Sequence, residues 1–300
     1  MTDTKGVRST AIFEEARPRL LGLAYRILGS RADAEDAVQD TFVKWQEADQ
    51  RVIESPAAWL TTACTRRCLD LLKAAHRKRV DYVGAWLPEP IHTASEDNAE
   101  EKLALTSSLT TAFLLMLERL TPKERAAYLL HEIFGQPYEE VAETLDMQEA
   151  AARKLVSRAK TNIGVEKSRH QTPRERQDEL LSAFHAAIHG GNISSLSSLL
   201  SADVRLTADG GGKVATVLGV LSGKNTVLAF IADRLTEYWA HYVWEIAEIN
   251  GGRGIVLRGE TENDIAASVS FGYDGDGNVN DIFIVRNPDK LTHLGDAAVH

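Results

Sequence analysis

Arg31-Ala-Asp-Ala-Glu-Asp-Ala-Val-Gln-Asp-Thr-Phe-Val-Lys-Trp45 is the stretch on which the reading of this chain turns. Ala34, Val38, Phe42 and Trp45 recur at helical spacing, which predicts a helix with one buried side. Ser30, behind Gly29, is placed to cap it, and the acids that follow suit the positive end of a helix. Asp36 and Asp40 lie four apart on the outward face, with Asp33 and Gln39 beside them. By chemistry alone, such a face is either a solvated acidic surface or a dock for a basic partner.

Outward from this stretch, residues 10–80 read as helices. Ser55-Pro56 opens another helix with proline in its first turn; Trp59, Leu60, Ala63, Leu69 and Leu72 supply its apolar positions. Arg66, Arg67, Lys73, Arg77, Lys78 and Arg79 form a basic track along the same segment, which Asp49, Gln50 and Arg51 precede in a loop. A single tryptophan on a helix, such as Trp59, is more often core than a stacking platform. Gly84, Pro88 and Pro90 then break periodicity, so 83–98 reads as a linker.

A second helical block follows, and within it Tyr138–Leu145 and Glu149–Asn162 are joined by about three residues, the shape of a helix-turn-helix. Ala152, Leu155, Val156, Ala159 and Ile163 pack inward. Lys154, Ser157 and Thr161 face outward, flanked by Arg153 and Arg158, as a major-groove helix needs. A solvated amphipathic helix has the same spacing.

After Thr172-Pro173 the texture changes. A helix over 174–189 precedes β-rich runs at 203–208, 214–220, 242–249, 254–258, 266–273 and 280–285, with a further helix over 225–239. This is an α+β domain with a largely antiparallel sheet. The glycine-rich turn Asp209-Gly-Gly-Gly-Lys213 allows close backbone approach, an anion nest or a flexible hairpin tip.

Composition narrows the classes. The net charge of −9 argues at first sight against nucleic acid. The charge is uneven, however: residues 1–170 hold 24 Lys/Arg against 26 Asp/Glu, and the remainder 10 against 17. Local patches, not the total, set where phosphates dock. The first residues carry no apolar signal core, and the apolar run 112–117 is too short to cross a bilayer. Two cysteines suit a reducing cytoplasm. A cytoplasmic protein with no membrane partner is expected.

In order and spacing the first two blocks resemble extracytoplasmic-function sigma factors of RNA polymerase. Arg31–Trp45 is similar to that family's polymerase-binding helix; the resemblance implies that Asp33, Asp36, Gln39 and Asp40 meet a basic coiled coil of the polymerase β′ subunit. Ser55–Asp70 is similar to the promoter −10 helix, with Asp49, Gln50 and Arg51 in the loop that captures a flipped base. The block from Leu120 to Lys160 resembles the −35-reading domain, which implies Gln148, Glu149, Arg153, Lys154, Ser157 and Arg158 as its DNA contacts. Members commonly carry glycine in the turn where Asp146 stands here, so the turn geometry is in question. Glu149 would repel phosphate but could accept from a cytosine amino group.

Trp86-Leu-Pro-Glu-Pro90, Asp209-Gly-Gly-Gly-Lys213 and Asn287-Pro-Asp-Lys-Leu291 narrow the resemblance to the subgroup with a fused SnoaL-like domain (group 41), the cone fold of nuclear transport factor 2 and ketosteroid isomerase. It implies regulatory contacts through Trp86, Leu87, Pro88, Glu89 and Pro90, through Asp209, Gly210, Gly211, Gly212 and Lys213, and through Asn287, Pro288, Asp289, Lys290 and Leu291.

The expected architecture is therefore multidomain: a helical region 2 over 8–82, a linker over 83–98, a helix-turn-helix region 4 over 99–168, a SnoaL-like α+β cone over 172–292 and a flexible tail over 293–300. The implied partners are core RNA polymerase (the β′ coiled coil and the β subunit) and promoter DNA. No catalytic residue, cofactor or metal is expected, and the cone could take a small-molecule ligand. Two readings from other classes stay open: a helix-turn-helix regulator with a ligand-sensing domain, and an isomerase or cyclase cone, for which His185, His189 and His241 are present without a spacing that joins them. Cys64 and Cys68, four apart on a helix, read as buried structural cysteines. Asp274-Gly-Asp-Gly-Asn278 opens like a calcium loop but has Val279 and Val285 where a glycine and an acid are needed, so it reads as a hairpin turn.

Overall fold

The computed structural model describes residues 3–80, 82–93, 108–164, 172–259 and 264–295. Its contacts divide the chain into two units, Met1–Val80 with Met116–Val165, and Asp81–Leu115 with Glu166–His300.

In the first unit α1 (Asp3–Leu28), α2 (Arg31–Glu47) and α3 (Pro56–Val80) pack on one another. The Ser30 side chain accepts from the Asp33 N–H, as the cap requires. The predicted stripe is buried at Ala34, Val38 and Trp45; the Trp45 indole N–H donates to Ser9 O at 2.9 Å, and its ring leans on Trp59 at 5.5 Å. Removing such a side chain costs about 3–5 kcal/mol. Cys64 and Cys68 are buried in α3, and the Cys64 thiol donates to Leu20 O.

The same unit holds α5 (Pro122–Tyr128), α6 (Tyr138–Thr144) and α7 (Glu149–Ile163), with one turn of wider π winding at Leu129–Ile133. Thr121 and Glu124 form a reciprocal capping box at the start of α5. The predicted inward set, Ala152, Leu155, Val156, Ala159 and Ile163, is buried. Asp146 takes the left-handed conformation (φ +52) in the turn, so aspartate here adopts the backbone that glycine would take more easily.

The second unit is the helix-plus-sheet domain. Its elements are α4 (Thr111–Leu117, through Leu115), α8 (Arg174–Gly190), α9 (Ile193–Leu199), β1 (Leu200–Asp209), β2 (Val220–Ser222), α10 (Lys224–Phe230), α11 (Thr236–Trp239), β3 (Val243–Ile249), β4 (Gly252–Arg258), β5 (Ile265–Tyr273), β6 (Val279–Val285) and α12 (Pro288–Gly295). Among the described residues the strands form one six-stranded sheet, ordered β2-β1-β6-β5-β4-β3. Among these described strands only the β1–β6 pairing is parallel.

Alternation along β6 assigns its two faces. Ile282 and Ile284 join Phe184, Ile188, Trp239, Val269 and Phe271 beneath the helices. Phe283 and Val285 point the other way, into a cluster with Ile249, Val256, Leu87, Leu291 and Leu294. The second face is thus closed by a linker residue, by α12 and, through Ala112 and Leu115, by α4.

Two expectations need correction. The strand expected over 214–220 is bent and irregular backbone through 219, with β2 only at Val220–Ser222. Gly210 O takes the N–H groups of Lys213 and Val214, and the Arg286 guanidinium takes Ala215 O, so those polar groups are satisfied outside a ladder. Residues 293–295, expected to open a flexible tail, instead end α12, which runs to Gly295 and buries Leu294 fully; 296–300 lie outside the described residues.

Candidate polymerase, promoter and linker surfaces

On α2, Asp36 and Gln39 are exposed and Asp33 is half-buried. Asp40 is engaged: it accepts from Arg67 Nε of α3 at 2.6 Å. One residue of the acidic face and one of the basic track therefore neutralise each other in the free protein.

The basic track is only partly open. Arg66 donates from Nε to Thr144 O at 3.0 Å and from its terminal nitrogen to Glu143 O at 2.9 Å, and the Thr62 and Thr144 hydroxyls are 2.9 Å apart. Lys73 pairs with Asp70 at 3.0 Å. The side chains of Arg77, Lys78 and Arg79 lie outside the described residues. In the preceding loop Arg51 folds back on Asp49, and Gln50 turns inward to Ser9 Oγ and Trp45 O. Gln50 thus braces the loop against α1 and α2.

On α7, Lys154 and Ser157 are exposed, and Gln148 stands exposed just before the helix. Glu149 accepts from Arg153, whose guanidinium also lies over the Tyr138 ring at 4.3 Å. The other face of this aromatic contact is His131, stacked on Tyr138 at 3.8 Å. Arg158 approaches Glu124 at 3.6 Å.

The three short motifs of the second unit meet at one buried carboxylate. Asp209, fully buried at the end of β1, accepts from Lys290 Nζ at 2.7 Å, the Leu87 N–H at 2.9 Å, the Gly211 N–H at 3.0 Å and the Tyr82 hydroxyl at 2.5 Å. Lys290 also donates to Leu87 O at 2.6 Å and lies over the rings of Trp86 (4.5 Å) and Tyr82 (5.0 Å). Asn287 donates its amide to the Tyr82 hydroxyl at 2.9 Å. Around this node Pro88, Glu89 and Pro90 are buried, Leu87 and Leu291 share a cluster, and the Asp289 carboxylate reaches Lys213 at 2.6 Å across the exposed rim.

Burial and the neighbouring carboxylate push the Tyr82 hydroxyl well above its ordinary range, so it stays a donor. Gly211 sits at φ +61, where an added Cβ would run into the Asn287 amide; a Cβ at Gly212 would press on Val83. Gly211 therefore admits the Asn287 amide against the turn, and Gly212 admits Val83 of the linker. Tyr82 and Val83 escaped the sequence reading: they stand where periodicity fails, and only proximity in space reveals them.

His185 and His189 stack at 4.1 Å on the exposed side of α8, both edge-on to Trp244, while His241 leans on Tyr242. Desolvation, then His189, lowers the pKa of His185. A polar groove of about 520 Å³ is lined by Asp203, Arg205, Ser222, Gly223 and Asn280. Asp274 closes its hairpin by accepting from the N–H groups of Asp276 and Asn278. Among the described residues no cluster of three or more metal-ligating side chains occurs, and no helix is long and apolar enough to cross a membrane.

Comparison with known proteins bears on the family of the chain. Residues 12–78 match the model of sigma-70 region 2, and residues 110–163 that of sigma-70 region 4. The chain is 35% identical over 289 residues to the ECF RNA polymerase sigma factor SigJ of Mycobacterium tuberculosis, covering 93% of this chain and 92% of that one. It is 31% identical to a probable ECF sigma factor, SigI, of the same species, over 77% of each chain. The crystal structure of M. tuberculosis SigJ superposes with a TM-score of 0.74 at 32% identity, covering 95% of this chain and 98% of that one. This chain belongs to the extracytoplasmic-function sigma factors of RNA polymerase.

Proposed function

We propose that the protein recruits core RNA polymerase to a promoter class, opens the −10 region, and is regulated in cis by its C-terminal domain through the linker. Asp33, Asp36 and Gln39 are the polymerase-facing groups, joined by Asp40 once Arg67 leaves it. A β′ coiled coil of basic character is the fitting partner, with the β subunit a further one. Asp49, Gln50, Arg51, Arg66, Arg67, Lys73, Arg77, Lys78 and Arg79 serve the −10 strand, and Gln148, Glu149, Arg153, Lys154, Ser157 and Arg158 serve the −35 duplex. No bond is made or broken by the chain itself.

The single observation that carries the regulatory reading is the Asp209 node, where linker, glycine turn and C-terminal motif converge on one buried charge. A second supports it. Elements at −10 and −35 are centred about 25 base pairs apart, roughly 85 Å at 3.4 Å per step. With Thr62 and Thr144 in hydrogen-bond contact, α3 and α6 cannot span that distance. The compact form is the resting form, and the linker must yield for the regions to part.

Run-off transcription with purified core enzyme tests this. Tyr82→Phe, which removes two hydrogen bonds of the node, should change transcript yield at least threefold while core affinity stays within twofold. Equal yields from both proteins would remove the regulatory role, and no transcript from any promoter would remove the sigma reading.

A further inference from the structure

Beyond Pro90 the linker is held a second time, at the β3–β4 hairpin. Asn250 occupies that turn at φ +51 and is buried. Its backbone N–H donates to Ile91 O at 3.0 Å, and its side-chain oxygen accepts from the Ile91 N–H at 3.1 Å. One hairpin residue thereby satisfies both polar groups of one linker residue. The Thr93 N–H donates to Glu248 O at 3.0 Å, its hydroxyl accepts from the Gly251 N–H at 2.9 Å, and His92 bridges Ile249 in antiparallel register.

The same side chain reaches the returning strand of chain. Asn250 Nδ2 donates to Leu109 O at 3.2 Å, just ahead of α4. Asparagine suits this position twice over: it tolerates the left-handed backbone, and its amide offers an acceptor and donors on one short arm. Leu109 and Ile91 are therefore tied to one residue, and the chain between them begins and ends there.

We propose that the Asn250 hairpin is a second linker-binding site, a clamp on residues 91–93 and Leu109 whose release sets how far the two sigma regions can separate. This rests on the reading of the cone as a regulator in cis. The magnitude favours a role in reach. Ile91 and Leu109 are 18 positions apart in sequence, and an extended chain of that length covers roughly 60 Å at about 3.4 Å per residue. Closed on Asn250, that segment contributes no reach; open, it supplies most of the roughly 85 Å between promoter elements. The two stations divide the work. The Asp209 node holds the flank that leaves region 2, and the Asn250 clamp also holds the flank that returns to region 4.

Full-length protein with a fluorophore pair at Val43 and Asn162 tests the clamp, alongside transcription by the reconstituted holoenzyme. Asn250→Gly keeps the left-handed turn and removes both side-chain bonds. Asn250→Asp keeps the acceptor for Ile91 and loses the donor for Leu109. Energy transfer should fall in both variants, further in Asn250→Gly, and transcript yield should shift at least threefold in Asn250→Gly. Wild-type transfer and yield in both, with Tyr82→Phe still altering yield, would overturn the clamp and leave regulation in cis standing. No change in any of the three would overturn both. Should Asn250→Gly unfold the cone, as melting would show, Asn250→Asp decides by the same two readouts.

Discussion

Arg66 and Thr144, 78 residues apart in sequence, are joined by a 3.0 Å hydrogen bond from guanidinium to carbonyl. Thr144 ends α6, and the last carbonyls of a helix lack partners within it. A cation there satisfies them and suits the negative end of the helix. The side chain proposed above for the −10 strand is thus engaged, within this protein, in capping a helix of the helix-turn-helix.

Replacing Arg66 should therefore act in two directions. Arg66→Ala loosens the contact between α3 and α6, worth about 1 kcal/mol for a partly exposed charged hydrogen bond, and on the proposed function also removes a phosphate contact. Thr144→Ala removes only the hydroxyl contact with Thr62. Energy transfer between α2 and α7 should fall in both, whereas open-complex formation should fall in Arg66→Ala alone.

The acidic face divides in the same way. Asp36 is exposed, whereas Asp40 is bound to Arg67. Asp36→Lys should weaken core-polymerase binding about tenfold, and the loss should shrink as salt rises and screens the surface. Asp40→Asn should weaken it less and should raise affinity for a single-stranded −10 oligonucleotide, because Arg67 is released. Titration by fluorescence anisotropy at two salt concentrations separates these outcomes.

Tyr138 positions Arg153. Its ring carries the guanidinium on one face and the His131 imidazole on the other. Tyr138→Phe keeps the stack and Tyr138→Ala removes it, at a cost of about 0.5–1 kcal/mol at an exposed site. A randomised −35 library should show relaxed preference at one base pair for the alanine variant, unchanged preference for the phenylalanine variant, and unaltered −10 preference for both.

Two ion pairs near the glycine turn should differ sharply in worth. Lys213–Asp289 is exposed on both sides, while Lys290–Asp209 joins a largely buried amine to a fully buried carboxylate. Lys213→Ala should cost under about 1 kcal/mol. Lys290→Met strands the Asp209 charge and should cost about 3–5 kcal/mol in denaturant unfolding of the cone.

Asp281 provides the pH test. Burial raises its pKa, and the hydrogen bond and charge of Arg205 only partly offset this. A carboxyl whose folded pKa lies above its unfolded one favours the protonated folded state, so stability declines as pH rises from about 4 toward the folded value. Asp281→Asn should gain in melting temperature relative to the parent across that interval and hold a constant difference above it. A difference that is flat from pH 3 upward would contradict the burial effect.

The helices were legible because burial repeats along them: the stripe through Ala34, Val38 and Trp45 and the inward set of α7 are periodic in sequence and buried in space. The capping pair at Ser30 is equally local. Residues 214–220 look like a strand because Val214, Thr216 and Val217 favour extended backbone. Whether a partner strand stands beside them is not written in those residues; here the Val214 N–H donates to Gly210 O and Ala215 O accepts from the Arg286 guanidinium.

Sequence alone determined the two helical blocks, the sheet domain and the motifs that join them, since local periodicity, caps and turn residues act over a few positions. Tertiary structure alone decided that Asp40 is held by Arg67, that Arg66 caps α6, and that Tyr82 and Asn250 hold the linker. Each of these pairs residues far apart in the chain, and a hydrogen bond depends on a separation of about 3 Å that no spacing in sequence encodes.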